Sequence, residues 1–359
     1  MNEFQNLLSE TVDRLFADLA TKEVGQAAEE GTWPEALWSA LEENGLTRLM
    51  ASEEAGGAGG SWSDALILLR AQGRYGAPIP LGETLVAGWL LSKAGLDVPD
   101  GPLTLLSDVT LSGKQGAWKL NGVAAHVPWG RRAVLGVALV QGPGDVPLIV
   151  AAPLAGLDMS EELNTAREPR DTIQFGDLDV QAASCDLPGN MEMWGALMRC
   201  GLMAGGLEYL LAQTVQYANE RKQFGRPIGK FQAIQQQLAV LATQAAAAGA
   251  IAAHACDRAS DGGEPAFEVG VAKTRIDEAV NISTSIAHQV HGAIGFTYEH
   301  GLHLVTRRLW SWRAEYGSGR TWAARLGRDA ISRAQGAEGS DAKPQEVGVD
   351  ALWRYVTAR

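Results

Sequence analysis

Arg221 stands just after a helix expected from the sequence, in the run YANERKQFGRPIGKFQAIQQQLA (Tyr217–Ala239). Its guanidinium is a planar, permanently charged fork that can grip a diphosphate with two parallel hydrogen bonds. Gln223 and Phe224 follow it, and Phe231 and Gln232 open the next expected helix. A second run, HQVHGAIGFTYEHGLHLVTRRL (His288–Leu309), holds Gln289, Gly292, Ala293 and Gly295. Glycine lets a backbone approach phosphate or sugar oxygens because no Cβ intrudes. Each feature also has a plain structural reading: Arg221 as a surface charge, Phe224 as a loop anchor, Gly292 or Gly295 as a helix C-cap.

Other reactive side chains are less telling. His288 and His291 lie close together, as do His300 and His303, but no cysteine or carboxylate completes a set, so no metal is expected. Cys185, Cys200 and Cys256 are widely spaced and fit a reduced compartment. Trp310 and Trp312, beside Arg307, Arg308 and Arg313, read as packing at a helix end. The net charge of -12 argues against a general nucleic-acid binder. Small anions are still open to it, through a few arginines and helix N-termini. The acidic start MNEFQNLLSETVDRLF does not read as a signal peptide, and no run reaches the roughly eighteen uninterrupted apolar residues of a span. A cytoplasmic protein without a membrane span is expected.

The elements that must position these residues fall into three zones. Residues 1–100 read as helices broken by glycine and proline: Leu8, Val12, Leu15 and Phe16, with Phe4 and Leu7, follow one helical face. Thr32 is a plausible start for a helix through Leu37 and Leu41, Ser61 or Ser63 for the next, and Ala77–Pro80 breaks that one before Leu81–Lys93. Residues 101–188 hold short β-prone runs, LTLLSDVTL, GAWKLNG, AVLGVALV, VPLIVAAPL and DTIQFGDLDV, and read as a β domain. Residues 189–335 return to longer helices whose small-residue stripes favour a bundle of about four. Residues 336–359 read as a loosely attached tail. The fold class is therefore mainly α with a central β domain.

The two motifs, in that order and spacing, together with the helical/β/helical order of the chain, resemble the acyl-CoA dehydrogenase family. The resemblance implies an N-terminal helical domain, a middle β domain and a C-terminal four-helix bundle that also forms the oligomer interface. It implies FAD as cofactor. Arg221, Gln223, Phe224, Phe231 and Gln232 would lie near its pyrophosphate, reached across a subunit interface, with Gln289, Gly292, Ala293 and Gly295 near its adenosine. It implies an acyl-CoA substrate, drawn from fatty-acid or steroid catabolism, losing an α proton to a carboxylate and a β hydride to flavin. A homo- or heterotetramer is implied, with an electron-transfer flavoprotein as a further partner.

The catalytic base departs from the pattern. The family's Tyr-Glu-Gly-Thr segment corresponds to RAEYGSGR (Arg313–Arg320). Alignment on Gly317 puts Tyr316 at the base position and Glu315 one residue early, a shift worth about 100° on a helix. The family's other location, on the first bundle helix, is Gly195 here, with Glu192 one turn earlier. The loop that usually contacts flavin is replaced by Leu103–Gly113, and its Trp-Ile-Thr segment by His126–Trp129. Two functions follow: an FAD-dependent α,β-dehydrogenase of an acyl-CoA with Glu315 as base, or a non-catalytic subunit completing the FAD site of a heteromeric acyl-CoA dehydrogenase. Arg199 is read as packing, with a substrate contact as the alternative.

Overall fold

The computed structural model describes residues 2–336, so the stretch read as a tail lies outside the described residues beyond Gly336. Helices α1 (Glu3–Leu19), α2 (Lys22–Glu29), α3 (Glu35–Glu43), α4 (Trp62–Tyr75) and α5 (Leu81–Lys93) open the chain. α1 buries Leu8, Val12 and Phe16, while Phe4 and Leu7 stay exposed at the outer edge of that face. Ser61 caps α4: its side chain accepts from the Asp64 N–H, and the Asp64 carboxylate accepts from the Ser61 N–H. Thr32 does not cap α3. That helix starts one turn later, and Pro34 occupies the capping position with no side-chain bond. α4 closes on Gly76 at φ 58, and Pro80 immediately precedes α5.

The middle of the chain forms one sheet from β1 (Leu103–Leu106), β2 (Val109–Lys114), β3 (Ala117–Pro128), β4 (Leu135–Gln141), β5 (Pro147–Pro153), β6 (Met159–Ser160) and β7 (Arg170–Ser184). The order is β1-β4-β5-β7-β3-β2, with β6 beside β7. β7 joins the two halves, pairing β3 through Val180 and β5 from Gln181 onward. The single run LTLLSDVTL becomes two strands at opposite edges of this sheet. Asp108, in the left-handed region at φ 59, redirects the chain between them. Leu120, Ala124, Val150, Ile173 and Phe175 fill the core of this domain.

Beyond it come α6 (Met191–Glu220), the hairpin β8 (Lys222–Gln223) and β9 (Arg226–Pro227), α7 (Gln232–Ser260), α8 (Ala266–His291), α9 (Leu302–Trp312) and α10 (Gly319–Gly336). α6, α7 and α8 pack on one another, α10 packs on α8, and α4 packs on α6. The α4–α6 contact is backbone to backbone: a Cβ at Gly205 would lie 1.9 Å from the Arg70 carbonyl oxygen, and one at Gly73 1.9 Å from that of Leu202. Gly205→Ala must push the two helices apart, and should lower the unfolding free energy by about 1–3 kcal/mol in urea titration. α7 is long and apolar enough to meet a composition test for a membrane span, with a mean hydropathy of 1.5. That apolarity comes largely from alanine, and its inner face, Leu241, Ala245, Ala248 and Ala252, is buried in the bundle.

Candidate active site and cofactor cleft

α6 ends at Glu220, and Arg221 caps it by donating its backbone N–H to the Tyr217 carbonyl. The β8/β9 hairpin then turns through Phe224 (φ 50) and Gly225 (φ 79) and delivers Phe231 to the start of α7. Opposite, α8 ends at His291 and the chain swings away through Gly292 at φ 66. These segments enclose a cleft of about 460 Å³ lined by Arg221, Gln223, Phe224, Phe231, Gln289, Gly292 and Ala293. A Cβ at Gly292 would meet nothing within 4 Å, so bare backbone faces open space there. Gly295 does not line the cleft; it is buried, and a Cβ on it would lie 3.0 Å from Leu302. Gln232 sits at the first turn of α7, outside the cleft wall.

Arg221 is exposed and has no carboxylate partner among the described residues. Phe224 is 92% exposed, its ring meeting that of Phe231 edge to face at 6.1 Å. Tyr217 and His291 also line the cleft, their rings stacked 4.5 Å apart, and neither was singled out for this role from sequence. His291 donates Nδ1–H to the Ala287 carbonyl at 2.7 Å, and burial pushes its pKa down to about 4, so the ring is neutral. An unpaired guanidinium, two carboxamides and an open glycine backbone form a donor set that fits a diphosphate and its sugar.

The second region is the loop between α9 and α10. Lys273 of α8 holds it by donating to the carbonyls of Trp312 (3.2 Å) and Arg313 (2.8 Å). Burial lowers the pKa of this lysine to about 8. Glu315 lies between two arginines: Oε1 accepts from Arg170 Nε at 2.9 Å, and Oε2 from Arg199 Nε at 2.7 Å. Arg199 continues to Glu83 on α5 at 2.7 Å, and Arg170 to Glu168 at 3.1 Å, which meets Arg308 on α9 at 3.0 Å. Six alternating charges thus tie the N-terminal helices, the sheet and the C-terminal helices together.

Burial by itself would raise the Glu315 carboxyl, but Arg170 and Arg199 outweigh it and hold the pKa at about 2, against an ordinary 4.5. A carboxylate depressed in the folded state stabilises the fold fully above pH 4.5, and that contribution disappears as the pH falls through 2. The shift corresponds to about 3 kcal/mol. Acid titration followed by circular dichroism should show this loss, and Glu315→Gln should flatten it.

Tyr316, the next residue, holds a left-handed backbone at φ 54. Its ring lies against Gly195 of α6, where a Cβ would come within 2.3 Å of it. Arg199 stands 5.5 Å over the same ring, and the Tyr316 hydroxyl is buried without a partner among the described residues. Beside this loop a cavity of about 800 Å³ opens toward the sheet, lined by Ser107, Asp108, His126, Glu162, Glu192 and Trp310 as well as Glu315 and Tyr316.

Comparison with known proteins accounts for this arrangement. Residues 2–97 match the acyl-CoA dehydrogenase N-terminal domain and residues 191–338 the C-terminal domain. The chain is 32% identical over 315 residues to the acyl-CoA dehydrogenase IpdE2 of Mycobacterium tuberculosis, covering 85% of this chain and 91% of that one. The chain belongs to the acyl-CoA dehydrogenase family. Among solved structures, a Tcur3481-Tcur3483 steroid ACAD variant superposes with a TM-score of 0.84 at 26% identity, covering 94% of this chain and 99% of the other. The ChsE4-ChsE5 complex from Mycobacterium tuberculosis shares the fold, with a TM-score of 0.83 at 23% identity over 92% and 98% of the two chains.

Gly195 and Tyr316 are the two positions that the sequence resemblance marks for a base. Here they face each other in direct contact. The space between them is taken by the Tyr316 ring, and the neighbouring carboxylate points away into the two arginines.

Proposed function

We propose that this chain is the FAD-site-completing, non-catalytic subunit of a heteromeric acyl-CoA dehydrogenase acting on the CoA thioester of a bulky, steroid-like acid. One observation carries the reading: both base positions are occupied by an uncharged packing pair, Gly195 and Tyr316, and Glu315 is bound by two guanidiniums. A general base works best with a pKa near the operating pH, and a carboxylate held at about 2 is a weak one. Both of its oxygens also accept from guanidiniums, Oε1 from Arg170 and Oε2 from Arg199.

The cofactor cleft, by contrast, keeps what it needs. Arg221 and Gln223 would hold the FAD pyrophosphate, Gln289 and the open backbone at Gly292 and Ala293 the adenosine, and Phe224 an apolar face of the partner. When bound, FAD accepts the substrate β hydrogen as hydride; in this reading the base that takes the α proton belongs to the partner chain. An exposed aromatic at Phe224 and an unpaired Arg221, side by side at one cleft, suit an interface, where aromatic residues and arginine are enriched. The outer face of α7, with Ala239, Val240, Ala246 and Ala250 exposed, supports a partner along the bundle.

A second reading, a self-sufficient dehydrogenase, draws on the cavity of about 800 Å³ beside Glu315. Its lining is mixed, with Asp108, Glu162 and Glu192 beside Arg170 and His126 and with Glu192 paired to Arg325 at 2.8 Å, so the walls offer no net positive charge to a reduced flavin. Glu315→Gln in the assembled complex separates the two. On the proposed reading, kcat stays within about twofold of wild type while the melting midpoint falls. Loss of turnover with an unchanged melting midpoint would return the base to Glu315.

A further inference from the structure

We propose that the cavity of about 620 Å³ between the α2–α3 turn and the sheet is a binding site for a nucleoside phosphate. It shares no residue with the cofactor cleft, and the inference does not depend on the assignment of that cleft. Only Leu163 is common to it and the cavity beside Glu315.

Two tryptophans and two arginines without a carboxylate partner define it. Trp33 and Trp129 meet edge to face with ring centroids 6.0 Å apart, and Trp38 backs Trp33 at 5.6 Å. Half-buried Trp33 offers a flat aromatic surface of the kind on which a base stacks whatever its identity. Arg132 stands 5.8 Å over the Trp33 ring and donates Nη2–H to the Gly31 carbonyl at 3.3 Å. Two of the three wall carboxylates are in ion pairs: Glu29 Oε1 pairs with Arg307 at 2.9 Å, its Oε2 having no partner among the described residues, and Glu161 pairs with Arg131 at 2.6 Å. Arg132 and Arg167 have no carboxylate partner among the described residues. In a chain of net charge -12, two guanidiniums without carboxylate partners beside an indole favour an anion joined to a planar ring.

The backbone is held in place for this geometry. Trp129 and Arg167 both adopt left-handed conformations, at φ 56 and φ 61, which bulky side chains rarely take. The turn at Arg167 is fixed by Asn164, whose Oδ1 accepts from the N–H groups of Ala166 (2.9 Å) and Glu168 (3.0 Å). Trp129 is fixed by its N–H donating to the Pro169 carbonyl at 3.0 Å. Both strained residues thereby line the same cavity.

The test is calorimetric titration of the full-length protein, in the assembly in which it purifies, with ADP, adenosine and inorganic phosphate. Because the cofactor cleft can also take ADP, the titrations are run on Arg221→Ala as well. ADP should saturate a site in Arg221→Ala with unchanged affinity. Arg167→Gly should weaken ADP by about tenfold or more while leaving adenosine binding unaltered. Glycine accepts φ 61 without strain, so this variant keeps the fold. Absence of saturable ADP binding in Arg221→Ala would overturn the proposal, as would equal ADP affinity in Arg167→Gly and wild type. Inorganic phosphate binding as tightly as ADP would overturn the assignment of a nucleoside.

Discussion

Replacing Arg199 with methionine is expected to destabilise the protein by about 3–5 kcal/mol, the usual cost of removing one partner from a buried ion pair. Arg199 is 1% exposed, and the Glu83 side chain it contacts is 2% exposed. Glu83 Oε1 has Arg199 as its donor, and Oε2 is buried without one, so the variant strands a carboxylate in the core. Glu315 loses one of its two guanidiniums at the same time. For a chain of this size the melting midpoint should fall on the order of 5 °C. The double variant Arg199→Met with Glu83→Leu should recover part of that loss, because the Glu83 carboxylate is no longer stranded while Glu315 keeps only Arg170. Thermal melts of the four proteins in this cycle give the coupling directly. Additive losses would mean that Glu83 is satisfied from elsewhere.

Arg221→Ala should raise the FAD dissociation constant of the assembled complex by roughly 30- to 100-fold, equivalent to about 2–3 kcal/mol for a charge-assisted pair. The fold should not change, since the side chain is exposed and the hairpin is held by backbone bonds, including Ile228 N–H to the Arg221 carbonyl at 2.8 Å. Arg221→Lys should recover only part of the affinity, because an ammonium cannot reproduce the fork. Fluorescence of flavin released on dilution measures both. Unchanged retention in Arg221→Ala would remove this residue from the cofactor site.

The meeting of the Arg221 and Gln289 segments in one cleft was legible in the sequence because its information is local. An arginine directly after a helix, a hairpin turn at Phe224 and Gly225, and a glycine ending α8 are set by nearby residues, and only two segments had to meet. The surroundings of Glu315 were not legible in that way. Its partners Arg199 and Arg170 lie 116 and 145 residues away, and nothing in their local sequence says they will share one carboxylate. The one-residue offset between Glu315 and Tyr316 did carry meaning: the two side chains diverge, one to the arginines and one onto Gly195. Arg199 was read as packing, with a substrate contact as the alternative; the buried Glu83 it pairs with emerges only from the fold. The split of Leu103–Gly113 into strands at opposite sheet edges was hidden for the same reason. A left-handed Asp108 is one residue's conformation, whereas strand partners are chosen across the whole domain.

The most direct test of the account is the flavin-to-protein ratio of this chain purified alone and purified with a co-expressed acyl-CoA dehydrogenase chain that retains a base. The account predicts little or no FAD on the chain alone, stable FAD in the complex, and bleaching of that flavin by an acyl-CoA only when the partner is present. Stoichiometric FAD on the chain alone, bleached anaerobically by an acyl-CoA, would contradict it and establish a self-sufficient dehydrogenase.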